Sequence, residues 1–194
     1  MIKQKFCIDN REISSNFPPY VIAEVSANHN GSIQRAKDTI LAAKNAGVDA
    51  VKIQTYTPDT MTIDVENTDF YIKEGLWKNR SLYDLYREAY TPYEWHEELF
   101  KFSNDIGVTL FSSPFDESAV DLLVSLNVPA FKVASFEVVD LPLIKYIASK
   151  KKPILMSTGM ASLEEIGNAV ESAKSAGNQD LALFHCISSY PALI

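Results

Sequence analysis

A chain of 194 residues can build one sizeable hydrophobic core, and 46% hydrophobic with 22% charged residues excludes disorder, collagen and an extended coiled coil. The formal net charge of −7 argues against a nucleic-acid binder, which needs clustered Lys and Arg, but suits a small anionic substrate met by a few buried cations. Only two cysteines occur, Cys7 and Cys186, Met1–Ile13 lacks the apolar core of a signal peptide, and no apolar run approaches the roughly 18 residues of a membrane span; a cytoplasmic protein without disulfides or membrane contact is expected.

The residues ahead of Tyr20, with Phe6–Ile8 and Glu12–Ile13, predict a short β-hairpin, so residues 1–19 are expected as an extension and residues 20–194 as the main domain. From there short apolar runs alternate with longer amphipathic ones. Val21–Ser26 reads as a strand, followed by Asn28–Gly31, a helix over Ser32–Ala46 and a C-terminal glycine at Gly47. Ala50–Thr55 is the next strand. After a long interval, Pro92–Ile106 reads as a helix ended by Gly107, and Val108–Ser113 as a strand. Glu117–Leu126 is helical, Ala130–Ser135 strand, Leu143–Ser149 helix, Pro153–Ser157 strand, Ser162–Ala176 helix and Leu181–Cys186 a sixth strand.

Strands alternating with helices leave two architectures, an open doubly wound sheet or an eight-fold barrel. The first strand is followed by Asn28-His29-Asn30-Gly31 and not by a G-x-G-x-x-G fingerprint, which disfavours the dinucleotide-binding sheet. A barrel predicts polar residues at strand end after strand end, as found here. The expected fold class is therefore α/β, a (β/α)8 TIM barrel that stops after its sixth strand; two further units would take roughly 50 to 60 residues at this spacing. Thr57–Thr91, rich in acids and aromatics with a short helix near Ser81–Ala89, interrupts the rhythm. It is either a lid or wall over a site or a surface excursion that merely packs its aromatics.

Alternation puts Lys52 and Gln54 on one strand face and Val51, Ile53 and Thr55 on the other; it likewise turns Lys132 inward and aligns Ile22, Glu24 and Ser26. Charges within apolar strands are costly unless paired or solvated at a site. Two readings follow: a buried Glu24–Lys52 ion pair, or a cationic pocket with an acid beside it. Ser112–Asp116, Ser135, Ser157-Thr158-Gly159 and Ser188-Ser189 follow strand ends, and Ser-Thr-Gly at such a turn offers hydroxyls and free backbone N–H groups to an anion. Glu137 is a second acid near Ser135, or else a solvated loop glutamate. Metal ligands are sparse: His96 is expected at a helix surface, His29 as an organiser of its loop, and His185 is left open between ligand and core residue.

Ile22-Ala23-Glu24 with Asn28–Gly31, Val51–Thr55, Ser113–Asp116, Phe131–Ser135, Ser157–Met160 and His185-Cys186 through Tyr190-Pro191, in that order, resemble the sialic acid synthase family over about Tyr20 to Ala192. Leu76-Trp77, Leu82-Tyr83, Leu85-Tyr86, Glu88–Pro92 and Ser135-Phe136-Glu137 are more similar to its pseudaminic acid branch than to its N-acetylneuraminate branch. The resemblance implies condensation of phosphoenolpyruvate with an N-acetylated sugar, a 2,4-diacetamido-6-deoxyhexose in that branch, giving a nine-carbon keto acid and phosphate. It implies that Lys52, Lys132, Ser135, Ser157 and Ser188 hold phosphoenolpyruvate, that Glu24 and Glu137 serve proton transfer and C2 charge stabilisation, and that Gln54, Ser113 and Tyr190 face the sugar. It also implies a manganese or magnesium ion whose ligands lie beyond this chain, and a homodimer for the full-length enzyme; no metal ligand is assigned here, and this polypeptide alone is expected to be inactive.

Three rivals stand beside this. A related barrel making a sugar-acid phosphate would need extra cations in Thr57–Thr91, which holds only Lys73, Lys78, Arg80 and Arg87 against several acids. A Schiff-base aldolase would use Lys52 or Lys132 as its amine. A non-catalytic fragment or binding module is the third.

Overall fold

The computed structural model describes residues 5–187, and the expected hairpin is its first feature. Strand β1 (Lys5–Ile8) pairs antiparallel with β2 (Arg11–Ser14), turning at Asp9 with φ +50°. Phe6 and Ile8 are buried while Cys7 is exposed, the two-residue alternation of a sheet with one dry face. Beyond the hairpin the chain forms two compact units, Ile22–Leu110 and the residues from Phe111 onward together with the hairpin.

In the first, β3 (Ile22–Glu24) lies parallel to β4 (Ala50–Thr55), with Ile22, Ala23 and Glu24 opposite Ala50, Val51 and Lys52. Helix α1 (Ile33–Asn45) is capped by Ser32, whose hydroxyl accepts the Arg35 N–H, and Gly47 takes up φ +86° just after it. Helix α4 (Tyr93–Ile106) ends at Gly107 with φ +72°. Ala36 and Ile40 of α1 and Leu99 of α4 pack on Val25, Val51 and Ile53, with Val108 and Leu110 completing the core. The aliphatic face of β4 thus meets the helices, as alternation predicts.

Between β4 and α4 the excursion contains the one-turn α2 (Pro58–Met61), a 3-10 turn (Thr68–Phe70) and α3 (Leu82–Ala89), which Ser81 caps through the Asp84 N–H. Tyr83 of α3 donates to Asp59 of α2 at 3.0 Å, and the rings of Tyr56 and Tyr86 meet edge to face. His96 corrects its expected surface placement. It is fully buried on the inner face of α4, where polar atoms of Thr55 and Pro92 satisfy both ring nitrogens.

Strand β5 (Thr109–Pro114) leads into the second unit, whose strands β6 (Phe131–Val133), β7 (Ile154–Ser157) and β8 (Leu181–Phe184) follow it as parallel neighbours in chain order. The connecting helices are α5 (Glu117–Ser125), α6 (Leu141–Ser149) and α7 (Leu163–Ser175). Each is stopped at its N-terminus by an oxygen side chain: Asp116, Asp140, and Ser162 in a capping box with Glu165. β6 and β8 are shorter than their apolar runs. Past Val133 the chain curls through Ser135 into a 3-10 turn, Phe136–Val139, and among the described residues β8 ends at Phe184. Among the described residues no helix is long and apolar enough to cross a membrane.

The contrast between core and excursion gives a stability expectation. Leu99→Ala, at a fully buried position, is expected to cost about 2–5 kcal/mol in urea unfolding, whereas Leu76→Ala, 82% exposed in the excursion, is expected to stay within about 0.5 kcal/mol. Equal effects would mean that the core does not lie under α4.

Candidate active site

Register explains the first cluster. Glu24 stands opposite Lys52 on the neighbouring parallel strand, and Lys52 Nζ lies 2.9 Å from Glu24 Oε1. The lysine side chain is 9% exposed and the glutamate 55%. The ion pair allowed by the sequence therefore forms, but it is open on the acid's side: Lys52 is drawn out of water while Glu24 keeps contact with it. Two residues further along each strand, on the same face, Ser26 Oγ donates to Gln54 Oε1 at 2.7 Å. Glu24, Lys52, Ser26 and Gln54 thus form a continuous polar strip at the C-terminal ends of β3 and β4.

The second cluster lies on β6 and β7. Lys132 is opposite Leu155 in register, and its extended stem reaches one pleat further to Ser157, which lies on the same face as Leu155. Lys132 Nζ donates to Ser157 Oγ at 2.5 Å and to the Val133 carbonyl at 2.9 Å, and lies 5.8 Å from the centre of the Phe184 ring. Lys132 and Ser157 are both buried. Ser135 joins them by accepting the Gly159 N–H at 3.3 Å.

Two readings from the sequence need correction here, and one left open between two alternatives is decided. Two backbone N–H groups of Ser157-Thr158-Gly159 are not free for an anion: Thr158 N–H is spent on the Phe184 carbonyl at 3.2 Å and Gly159 N–H on Ser135. Hydroxyls and the ammonium supply the polarity. Ser113 does not follow a strand end but lies buried inside β5, which runs on to Pro114. Glu137 is no solvated loop residue, since its Oε2 is buried without a hydrogen-bond partner. Burial pushes the Glu137 carboxyl above its ordinary range, although its own backbone N–H and the charge of Lys132 pull it down.

Of the remaining expected residues, Ser188 and Tyr190 lie outside the described residues. His185 is exposed, and His29 organises its loop as expected, its Nδ1 accepting the Gly31 N–H at 3.1 Å. Among the described residues no group of three or more His, Cys, Asp or Glu stands close enough together to hold an ion. The residues missed from sequence were Thr55, Thr91 and His96; the available signal was a threonine on the otherwise aliphatic face of β4.

The strand-end lysines, serines and acids acquire a context from known proteins: the NeuB family model matches residues 39–194. The chain belongs to the NeuB family. It is 45% identical over 177 residues to the pseudaminic acid synthase of Helicobacter pylori, covering 91% of this chain and 52% of that protein. With the pseudaminic acid synthase of Campylobacter jejuni it shares 47% identity over 175 residues, 90% of this chain and 51% of that protein. It superposes on the sialic acid synthetase of Leptospira borgpetersenii, crystallised with citrate, with a TM-score of 0.85 at 27% identity, covering 98% of this chain and 61% of that one. These relatives bear out the barrel class and the pseudaminic branch read from the sequence. The NeuB chain spans about half the length of the curated relatives it matches.

The raised Glu137 sets a pH dependence with a definite sign. A carboxyl lifted on folding is fully tolerated below its unfolded value of 4.5 and costs stability as pH rises through the folded value. Glu137→Gln is therefore expected to match the parent near pH 4 and to be the more stable protein at pH 8, read from urea midpoints across that range. A gap that shrinks towards pH 8 would contradict the buried carboxyl.

Proposed function

We propose that the full-length protein condenses phosphoenolpyruvate with an N-acetylated hexose derivative, a 2,4-diacetamido-6-deoxyhexose, to give a pseudaminic-acid-type nine-carbon sugar acid and phosphate. The observation that carries this is the buried side chain of Lys132, donating to Ser157 Oγ and the Val133 carbonyl, with the carboxyl of Glu137 near enough to feel its charge. The identity to pseudaminic acid synthases supports the choice of acceptor.

In this reading Lys132, Ser135 and Ser157 take phosphoenolpyruvate oxygens, with Ser188 beside them. A buried cation with hydroxyls stabilises a dianion far more than it would in water. The family resemblance assigns Lys52 to phosphoenolpyruvate as well, and Glu24 to proton exchange, a role that suits an acid paired on one side and wet on the other. C3 of the enol attacks the acceptor aldehyde and the electron pair of the carbonyl becomes an alkoxide that is protonated. The cationic C2 left behind is stabilised by Glu137, takes up water, and the tetrahedral intermediate expels phosphate by C–O cleavage. Gln54, Ser113 and Tyr190 are assigned to the sugar. A divalent ion, when bound, polarises the aldehyde; no described residue is assigned to it.

The test is phosphoenolpyruvate labelled with 18O at the bridging oxygen, turned over by the full-length protein with the diacetamido sugar and manganese. The label is expected in the released phosphate, no pyruvate adduct is expected after borohydride, and Lys132→Met should lower kcat/KM for phosphoenolpyruvate at least about 100-fold. Label retained in the sugar acid, or a reduced imine on Lys52 or Lys132, would sink the proposal; the imine would favour the aldolase.

A further inference from the structure

The Asn28–Gly31 turn and the Thr91–Pro92 step into α4 take no part in binding or chemistry as described above, yet two buried histidines lock them together. His96 Nδ1 lies 3.0 Å from the Pro92 carbonyl, which can only accept, so Nδ1 carries the proton. His96 Nε2 therefore accepts from the Thr55 hydroxyl at 2.8 Å. Thr55 ends β4 just before the excursion and Pro92 is the first residue after it, so one imidazole bonds both ends of Thr57–Thr91.

His29 works from the other side. Its Nδ1 accepts the Gly31 N–H, which leaves the proton on Nε2, facing Thr91 Oγ1 at 3.5 Å, while its ring meets the edge of Trp95 at 5.5 Å. Burial lowers the pKa of both imidazoles and keeps them in the neutral forms these bonds require. The contacts close a circuit. Gln54 is bonded to Ser26, whose N–H donates to Asn28 Oδ1 at 3.0 Å; Asn28 precedes His29, His29 meets Thr91, Thr91 precedes Pro92, Pro92 meets His96, and His96 meets Thr55 beside Gln54.

We infer that His96 and His29 are positioning residues that clasp the neck of the excursion and fix it, with Gln54, as one wall of the acceptor sugar's site. The clasp stands by itself; its service to the sugar rests on the function proposed above. The test is amide hydrogen exchange on the full-length protein carrying Thr55→Val, His96→Asn or both. Thr55→Val keeps the shape of the side chain, so it reports even where the histidine variant folds poorly. Each single variant should exchange about tenfold faster at the excursion amides of Ile72, Asn79 and Tyr90, with the double variant no faster than the singles and Ile40 of α1 unchanged. An equal rise at Ile40, or no rise at all, overturns the clasp. In steady state the same variants should raise KM for the sugar about tenfold and leave KM for phosphoenolpyruvate in place. Faster local exchange with an unchanged sugar KM overturns the positioning role, while a protein that makes no sugar acid defeats the proposed reaction and leaves the exchange result to judge the clasp.

Discussion

A buried ammonium must be met by oxygen, and both strand-end clusters are built around that demand. Lys52 and Lys132 each sit in the interior of an apolar parallel strand, where the stem is compatible with the core but the charge is not. The answer in both places is register. Lys52 is brought opposite Glu24, and Lys132 opposite Leu155, from which its length carries Nζ to Ser157. A slip of one residue in β4 would turn Lys52 towards Ile40 and Leu99 and send Val51 and Ile53 to the polar side. The lysines therefore specify strand pairing as firmly as the aliphatic residues do.

The two solutions differ in a way that matters chemically. Lys52 is paired with an acid that remains half in water, so the buried charge of the pair is the lysine's and the exposed one the glutamate's. Lys132 donates to a hydroxyl and a carbonyl and lies near the face of Phe184, and burial raises the pKa of the Glu137 carboxyl. Strand register places the polar groups of both clusters.

How much of this is legible in the sequence depends on the range of the interaction. Helix ends are local, and Ser32, Ser81, Gly47 and Gly107 stand where their chemistry predicts. The inward faces of β4 and β6 are also local, because alternation alone assigns Lys52, Gln54 and Lys132. The misses concern partners distant in sequence. Nothing near Gly159 announces that its N–H will be taken by Ser135, and nothing in Glu94–Glu97 shows that His96 turns inward to Thr55. Glu137 looks like any loop acid until the 3-10 turn after Ser135 buries one of its oxygens. Each is a case where a polar atom is satisfied, or left unsatisfied, by a segment brought in through the fold.

The excursion shows why such distant bonds are worth their ordering cost. Thr57–Thr91 buries little of its own apolar surface, with Leu76, Ile63 and Trp77 all exposed, so packing alone would leave it loosely placed. The entropy of closing a loop grows only slowly with its length, so bonding the two ends of a long segment costs little more than bonding those of a short one. His96 supplies those bonds at the point where both ends meet, and α2 and α3 brace each other further out through Asp59 and Tyr83. Thr55, which His96 bonds, is covalently next to Gln54, which Ser26 bonds. The segment is thus bonded at its neck and braced between its two helices, while Ile63, Leu76 and Trp77 stay exposed.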